Sequence, residues 1–123
     1  MEIRLFVFAR RSLAPLLSNV CASFEATGLG GVIGNKGGTA ISFSIEDTSF
    51  AFVTAHLAAH QKEAKRRNLD VRDILAGLRL NRRNLDLLCS SRYLFFSGDL
   101  NYRLSYGTQG DTPSPTSEEF AAI

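Results

Sequence analysis

The hydrophobic period of this chain changes once, and that change constrains the fold more than any other feature. From Thr39 to Ile45 two sets alternate strictly, Ile41, Phe43 and Ile45 against Ala40, Ser42 and Ser44. A period of two places each set on its own face of a β-strand. Glu46-Asp47-Thr48-Ser49 has turn chemistry, and Phe50–His56 returns as a second strand. From Gln61 the period lengthens. Val71, Ile74, Leu75 and Leu78 stand at i, i+3, i+4 and i+7, the stripe of an amphipathic helix, with Glu63 and Arg67 an i,i+4 pair on its polar side. Alternation followed by a helical stripe predicts an α/β (α+β) domain.

The flanking segments extend this pattern without repeats. Glu2–Ala9 reads as a core strand, Pro15 as a loop and Asn19–Thr27 as a further strand. Leu85–Cys89 reads as a short helix, and the apolar run Tyr93–Ser97 as a buried strand. Ser105–Ser117, with Gly107, Gly110, Pro113 and Pro115, reads as a loop. Thr116 and Glu119 then form a capping-box pattern that opens a helix. A chain that begins in a strand and ends one turn into a helix is expected to be an internal slice, residues 1–123, of a larger domain truncated at both ends.

Composition narrows the class. With 45% hydrophobic and 21% charged residues over 123 positions, the chain supports one globular domain with a modest core. A net charge of +2 is too weak alone to argue for nucleic acid or membrane. Between Gln61 and Arg83, however, eight Lys/Arg face three Asp/Glu, whereas nothing after Arg103 is basic. Such a segment is either a solvated helix face or an attractor for anions. Cys21 and Cys89 match no metal-ligand spacing and, in apolar settings, are expected as reduced, buried thiols. No stretch approaches the ~20 apolar residues of a membrane span. The N-terminus lacks a signal peptide's layout, so the cytoplasm, or the cytosolic face of a membrane, is the expected location.

Three segments carry chemistry. Gly28, Gly30, Gly31, Gly34, Gly37 and Gly38 crowd around Asn35 and Lys36. Glycines let backbone amides converge on phosphate oxygens, and Lys36 adds a point charge, although the spacing of a P-loop is missing. The same segment is equally consistent with a tight structural turn. His56 ends a strand and His60 follows four residues later, without the Glu of the H-E-x-x-H zinc motif. Finally, Tyr93-Leu94-Phe95-Phe96 runs into Gly98-Asp99-Leu100-Asn101-Tyr102-Arg103. This puts an acid, an amide and a base at a strand tip, where ligands of layered α/β folds gather.

Taken together, GLGGVIGNKGG, AHLAAH, the Arg67-Asn68 pair and GDLNYR, in that order, resemble the inositol polyphosphate 5-phosphatase family of the magnesium-dependent endonuclease/exonuclease/phosphatase superfamily. The resemblance runs from about Ile3 to Arg103. It implies a partial four-layer α/β/β/α sandwich of the DNase I-like type. It also implies Mg²⁺-dependent hydrolysis of the 5-phosphate of phosphoinositides or soluble inositol polyphosphates. Within it, Asp99 matches the carboxylate that orients and deprotonates the attacking water. Asn101 and His56 match the groups that hold the scissile phosphate. Asn35 and Lys36 match the loop facing other phosphates or the lipid headgroup. Tyr102 and Arg103 are expected to touch substrate or brace the site, and Arg67 and Asn68 are expected among the substrate-binding residues. The partners implied are a phosphoinositide headgroup or an inositol polyphosphate, with peripheral membrane contact, no nucleic acid and no transmembrane segment.

The departures are equally specific. No residue here matches the family's metal-binding Glu upstream of the glycine loop, since Glu2 and Glu25 lack its context. The family's downstream Cys-Asp-Arg segment and Asp-His pair have no counterpart either. The chain alone is therefore expected to hold no complete metal site and to have little activity. Two other readings are a non-catalytic interaction piece of such a domain and a nuclease of the same superfamily. The NYR extension and the GNKGG segment argue against the nuclease.

Overall fold

Small residues on one strand face and aromatic residues on the other decide how this chain stacks. The computed structural model describes residues 3–27, 35–80 and 87–103. Strands β1 (Leu17–Ala26), β2 (Gly37–Ile45) and β3 (Thr48–His56) follow one another, then helix α1 (Ala64–Gly77), a short helix α2 (Leu87–Ser90) and strand β4 (Tyr93–Asp99). They form one mixed sheet in the order β1-β2-β3-β4. The first three strands are antiparallel, and β4 runs parallel to β3. Parallel pairing requires a crossover of a dozen or more residues, which is where α1 and α2 lie.

The helix-side face of the sheet carries Gly38, Ala40 and Ser42 from β2 against Ala55, Val53 and Ala51 from β3. With so little side chain there, α1 comes close. A Cβ on Gly38 would stand 2.7 Å from Ile74 Cγ2. Leu57, Ile74, Leu78 and Leu87 fill the remaining space and are fully buried, each worth about 1.5–3 kcal/mol relative to exposure. On the other face the register pairs Ile41 with Phe52, Phe43 with Phe50, and Phe50 and Phe52 with Tyr93 and Phe95. Their rings stack in a ladder, Phe52 on Phe95 at 4.9 Å and Phe50 on Tyr93 at 5.4 Å between centroids. This aromatic face is only half covered, and Phe24 and Phe95 are exposed. The described residues thus supply a helix layer and a sheet layer, two of the four layers that the resemblance implies.

Several sequence expectations shift. Residues 3–10 form no strand, although their burial alternates. A strand needs a neighbour for its backbone groups, and no described strand pairs with this segment. Pro15 lies inside a 3₁₀ helix, Arg11–Leu16, rather than in a loop. Cys89 is exposed and Cys21 is intermediate, so neither thiol is fully buried. Arg67 is not on the polar side of α1 with Glu63 but is 2% exposed. The i,i+4 ion pair of that helix is Arg66 with Asp70, at 3.0 Å. The stripe itself holds, with Ile74 and Leu78 buried and Val71 and Leu75 packed against the core. Most of the glycine-rich segment, the start expected for the second helix at Leu85, the loop Ser105–Ser117 and the Thr116/Glu119 helix lie outside the described residues.

Candidate functional site

Parallel pairing of β3 with β4 sets His56 directly opposite Asp99, the last residue of each strand. On the other side of His56 the partner is Gly37 of β2, so the Lys36 side chain enters the same corner. The Lys36 ammonium stands 2.5 Å from His56 Nε2, and Asp99 Oδ2 lies 3.5 Å from the same nitrogen. A cation and a carboxylate thus compete for one ring nitrogen. While Nε2 accepts from the ammonium, the imidazole proton belongs on Nδ1 and Asp99 is only a neighbour.

Glycine makes the approach of the two strands feasible. Gly98 has φ +119, and a Cβ there would lie 2.7 Å from the Ala55 backbone nitrogen. Beyond it the chain turns at Asn101, whose φ of 53 is left-handed, a conformation that Asn tolerates better than most residues. Five hydrogen bonds hold that turn, one of them from Arg103 N–H to the Asn101 carbonyl at 2.9 Å. Asn101 N–H donates to Asp99 Oδ1 at 3.2 Å, and Asn101 Nδ2 donates to the Leu57 carbonyl at 3.1 Å. Leu57 N–H in return donates to the Asp99 carbonyl at 3.0 Å, and an Arg103 Nη donates to Asn101 Oδ1 at 2.7 Å. The acid, amide and imidazole are therefore fastened to one another through backbone as well as side chains. The Asp99 side chain remains 64% exposed and His56 33%, so both are open to a ligand.

The Arg67-Asn68 pair sits beneath this corner. The Arg67 guanidinium donates to the carbonyls of His60 at 2.7 Å and Ala58 at 3.2 Å, and reaches Gln61 O at 3.5 Å. It also lies under the Tyr102 ring, 5.4 Å from the centroid. Asn68 Oδ1 accepts the Tyr102 hydroxyl. Sequence reasoning missed Asp70, which is 1% exposed and accepts Ala58 N–H at 2.9 Å. Its i,i+4 spacing from Arg66 was the available signal. Asn35 is exposed at the edge of the site. His60 lies on the turn after β3, exposed, with φ 76. Among the described residues no group of three His, Cys, Asp or Glu could hold a metal ion, and no helix is long and apolar enough to cross a membrane.

Imidazole and carboxylate groups at the C-terminal ends of the parallel strands β3 and β4, with an amide and an ammonium beside them, meet at the edge where ligands of layered α/β folds gather. Residues 1–119 match the family model described as Endonuclease/Exonuclease/phosphatase family 2, and the chain belongs to that family. It is 43% identical over 101 residues to the inositol-1,4,5-trisphosphate 5-phosphatase 1 of Schizosaccharomyces pombe, covering 82% of this chain and 9% of the relative. Human synaptojanin-1 is 41% identical over 100 residues, 81% of this chain and 6% of that protein. Zebrafish (Danio rerio) phosphatidylinositol 3,4,5-trisphosphate 5-phosphatase 2B is 40% identical over 106 residues, 84% and 9%. Among solved structures, the inositol polyphosphate 5-phosphatase domain of SPsynaptojanin, in complex with inositol (1,4)-bisphosphate and calcium ion, superposes with a TM-score of 0.69. That match is 41% identical and covers 77% of this chain and 26% of the domain. The resemblance to inositol polyphosphate 5-phosphatases thus holds, and the chain spans less than a tenth of the length of these curated relatives.

Proposed function

We propose that this chain supplies part of the catalytic site of an inositol polyphosphate 5-phosphatase, hydrolysing the 5-phosphate of phosphoinositides or of soluble inositol polyphosphates. The observation that carries the reading is the meeting of Lys36, His56, Asp99 and Asn101 at one sheet corner, in a chain about 40% identical to proteins bearing that name. Asp99, the exposed carboxylate, is the group to orient and deprotonate an attacking water. An amide has two N–H donors, and Asn101 commits one to Leu57 O, leaving the other for a phosphoryl oxygen. His56 and Lys36 place a hydrogen-bond donor and a positive charge beside the same oxygens, where charge develops in the transition state. Asn35 and Arg103 border this corner and would face the inositol ring or its other phosphates. The headgroup of a phosphoinositide in a membrane is one source of such a ring, with peripheral contact at the cytosolic face.

Mg²⁺ is the cofactor proposed for the reaction; when bound, such an ion polarises water and phosphoryl oxygens. It typically takes one or two carboxylates and keeps its waters. Asp99 is the one exposed carboxylate in this corner among the described residues. These residues do not by themselves fit a complete site. The 123-residue chain alone is accordingly proposed to release little phosphate, which is also what a non-catalytic interaction piece would do. Phosphate release distinguishes the readings. Residues 3–103 are transplanted into the solved 5-phosphatase domain in place of the matched segment and assayed on soluble inositol polyphosphates and on phosphoinositide vesicles, with Mg²⁺ or EDTA. Release that EDTA abolishes supports the phosphatase. A folded transplant that releases nothing, or that cleaves only nucleic acid, overturns it.

A further inference from the structure

The turn carrying Asn101 is left-handed and only partly buried, and something must hold it where Asp99 and His56 need it. A non-glycine residue at φ 53 keeps that conformation only where its surroundings fix it. Within the motif, the Asp99 and Arg103 side chains both bond to Asn101, but these ties lie inside the same short segment and cannot anchor it to anything else. Three ties leave it. Two run to Leu57, at the strand end: Leu57 N–H donates to the Asp99 carbonyl and Asn101 Nδ2 donates to the Leu57 carbonyl. The third, and the one that reaches helix α1, is Tyr102, whose hydroxyl donates to Asn68 and whose ring lies over the Arg67 guanidinium. Arg67 in turn grips the carbonyls of Ala58 and His60, the turn that follows His56, and Asp70 one turn further accepts Ala58 N–H. Helix α1 therefore holds the segment after His56 and the segment after Asp99 at once.

We infer that Asn68 and Tyr102 are a positioning pair: the hydroxyl-to-amide bond, on the Arg67 platform, sets the Asn101 turn against the His56 strand end, and neither residue contacts the substrate. The inference rests on the phosphatase reading for its consequence, but its geometry can be tested without activity. Tyr102 is half exposed and Asn68 exposed, so substitutions there remove the tie without opening the core. Asn68→Asp keeps an acceptor for the phenol, whereas Asn68→Leu and Tyr102→Phe each break the bond.

Hydrogen exchange on the full chain at low micromolar concentration reads the tie directly. Asn68→Leu and Tyr102→Phe should each speed exchange at Leu57, Ala58 and Asn101 by about tenfold while leaving Ala40 and Val53 protected. The double variant should do no more than either single one, and Asn68→Asp should match the wild type. In the transplanted domain the same two substitutions should lower kcat about tenfold with KM unchanged, and Asn68→Asp should restore it. Wild-type exchange in Asn68→Leu, additive effects in the double variant, or loss of protection across the whole sheet would overturn the inference. So would a raised KM at constant kcat, which assigns substrate contact instead. If the unsubstituted transplant releases no phosphate, the phosphatase reading fails, and the exchange result still decides the positioning pair.

Discussion

At His56 Nε2 a lysine ammonium and an aspartate oxygen converge, brought there by the strands on either side of β3. Removing the carboxylate's charge tests its assignment as the proton acceptor. Asp99→Asn in the transplanted domain should cut phosphate release by about a hundredfold or more, read as kcat, because positioned general bases contribute on that scale. Loss confined to KM would instead make Asp99 a binding group. Gly98 is constrained by backbone alone. At φ +119, with the Ala55 backbone in the way, Gly98→Ala should destabilise by about 1–3 kcal/mol, visible as a lower urea midpoint. Much of this was legible in the sequence, because GDLNYR lists its groups in the order the turn uses them. The Lys36 contact with His56 was not. It depends on β2 pairing Gly37 opposite His56, and sequence separation says nothing about register.

Helix α1 does more than cover the sheet. Its stripe, Val71, Ile74, Leu75 and Leu78, was legible because burial on one side leaves a 3.6-residue period. The burial of Arg67 was not legible. An arginine next to a polar surface normally stays in water, and only the three carbonyls of the 58–61 turn make burying its guanidinium tolerable. The same turn requires Asp70. Asp70→Ala leaves Ala58 N–H without its partner and should cost about 1–3 kcal/mol in urea unfolding, while Asp70→Asn, which keeps an acceptor, should cost less. Equal losses for the two would show that the Arg66 ion pair, not the hydrogen bond, is what matters.

For the molecule as a whole, the uneven covering of the sheet has a physical consequence. One face packs on α1, and the other presents a ladder of Phe43, Phe50, Phe52, Tyr93 and Phe95 that is half covered or exposed. Contiguous apolar surface of this kind drives association. The 123-residue chain should therefore self-associate as its concentration rises, seen as a concentration-dependent sedimentation coefficient, and Phe95→Lys should weaken this. A monodisperse monomer with a sharp thermal transition would contradict it. Alternation of Ile41, Phe43 and Ile45 with Ala40, Ser42 and Ser44 showed that two faces exist. It did not show which face takes the helix, because small residues are chosen for close approach rather than for hydrophobicity. The 3–10 segment misled for the complementary reason: its apolar alternation is that of a strand, but a strand exists only with a partner.

The central claim is that the corner formed by His56, Asp99 and Asn101 belongs to an inositol phosphate phosphatase. Phosphate release by the SPsynaptojanin domain carrying residues 3–103 of this chain tests it most directly. Mg²⁺-dependent release from an inositol polyphosphate bearing a 5-phosphate is expected, lost on Asp99→Asn. A correctly folded transplant that leaves this substrate intact would contradict it.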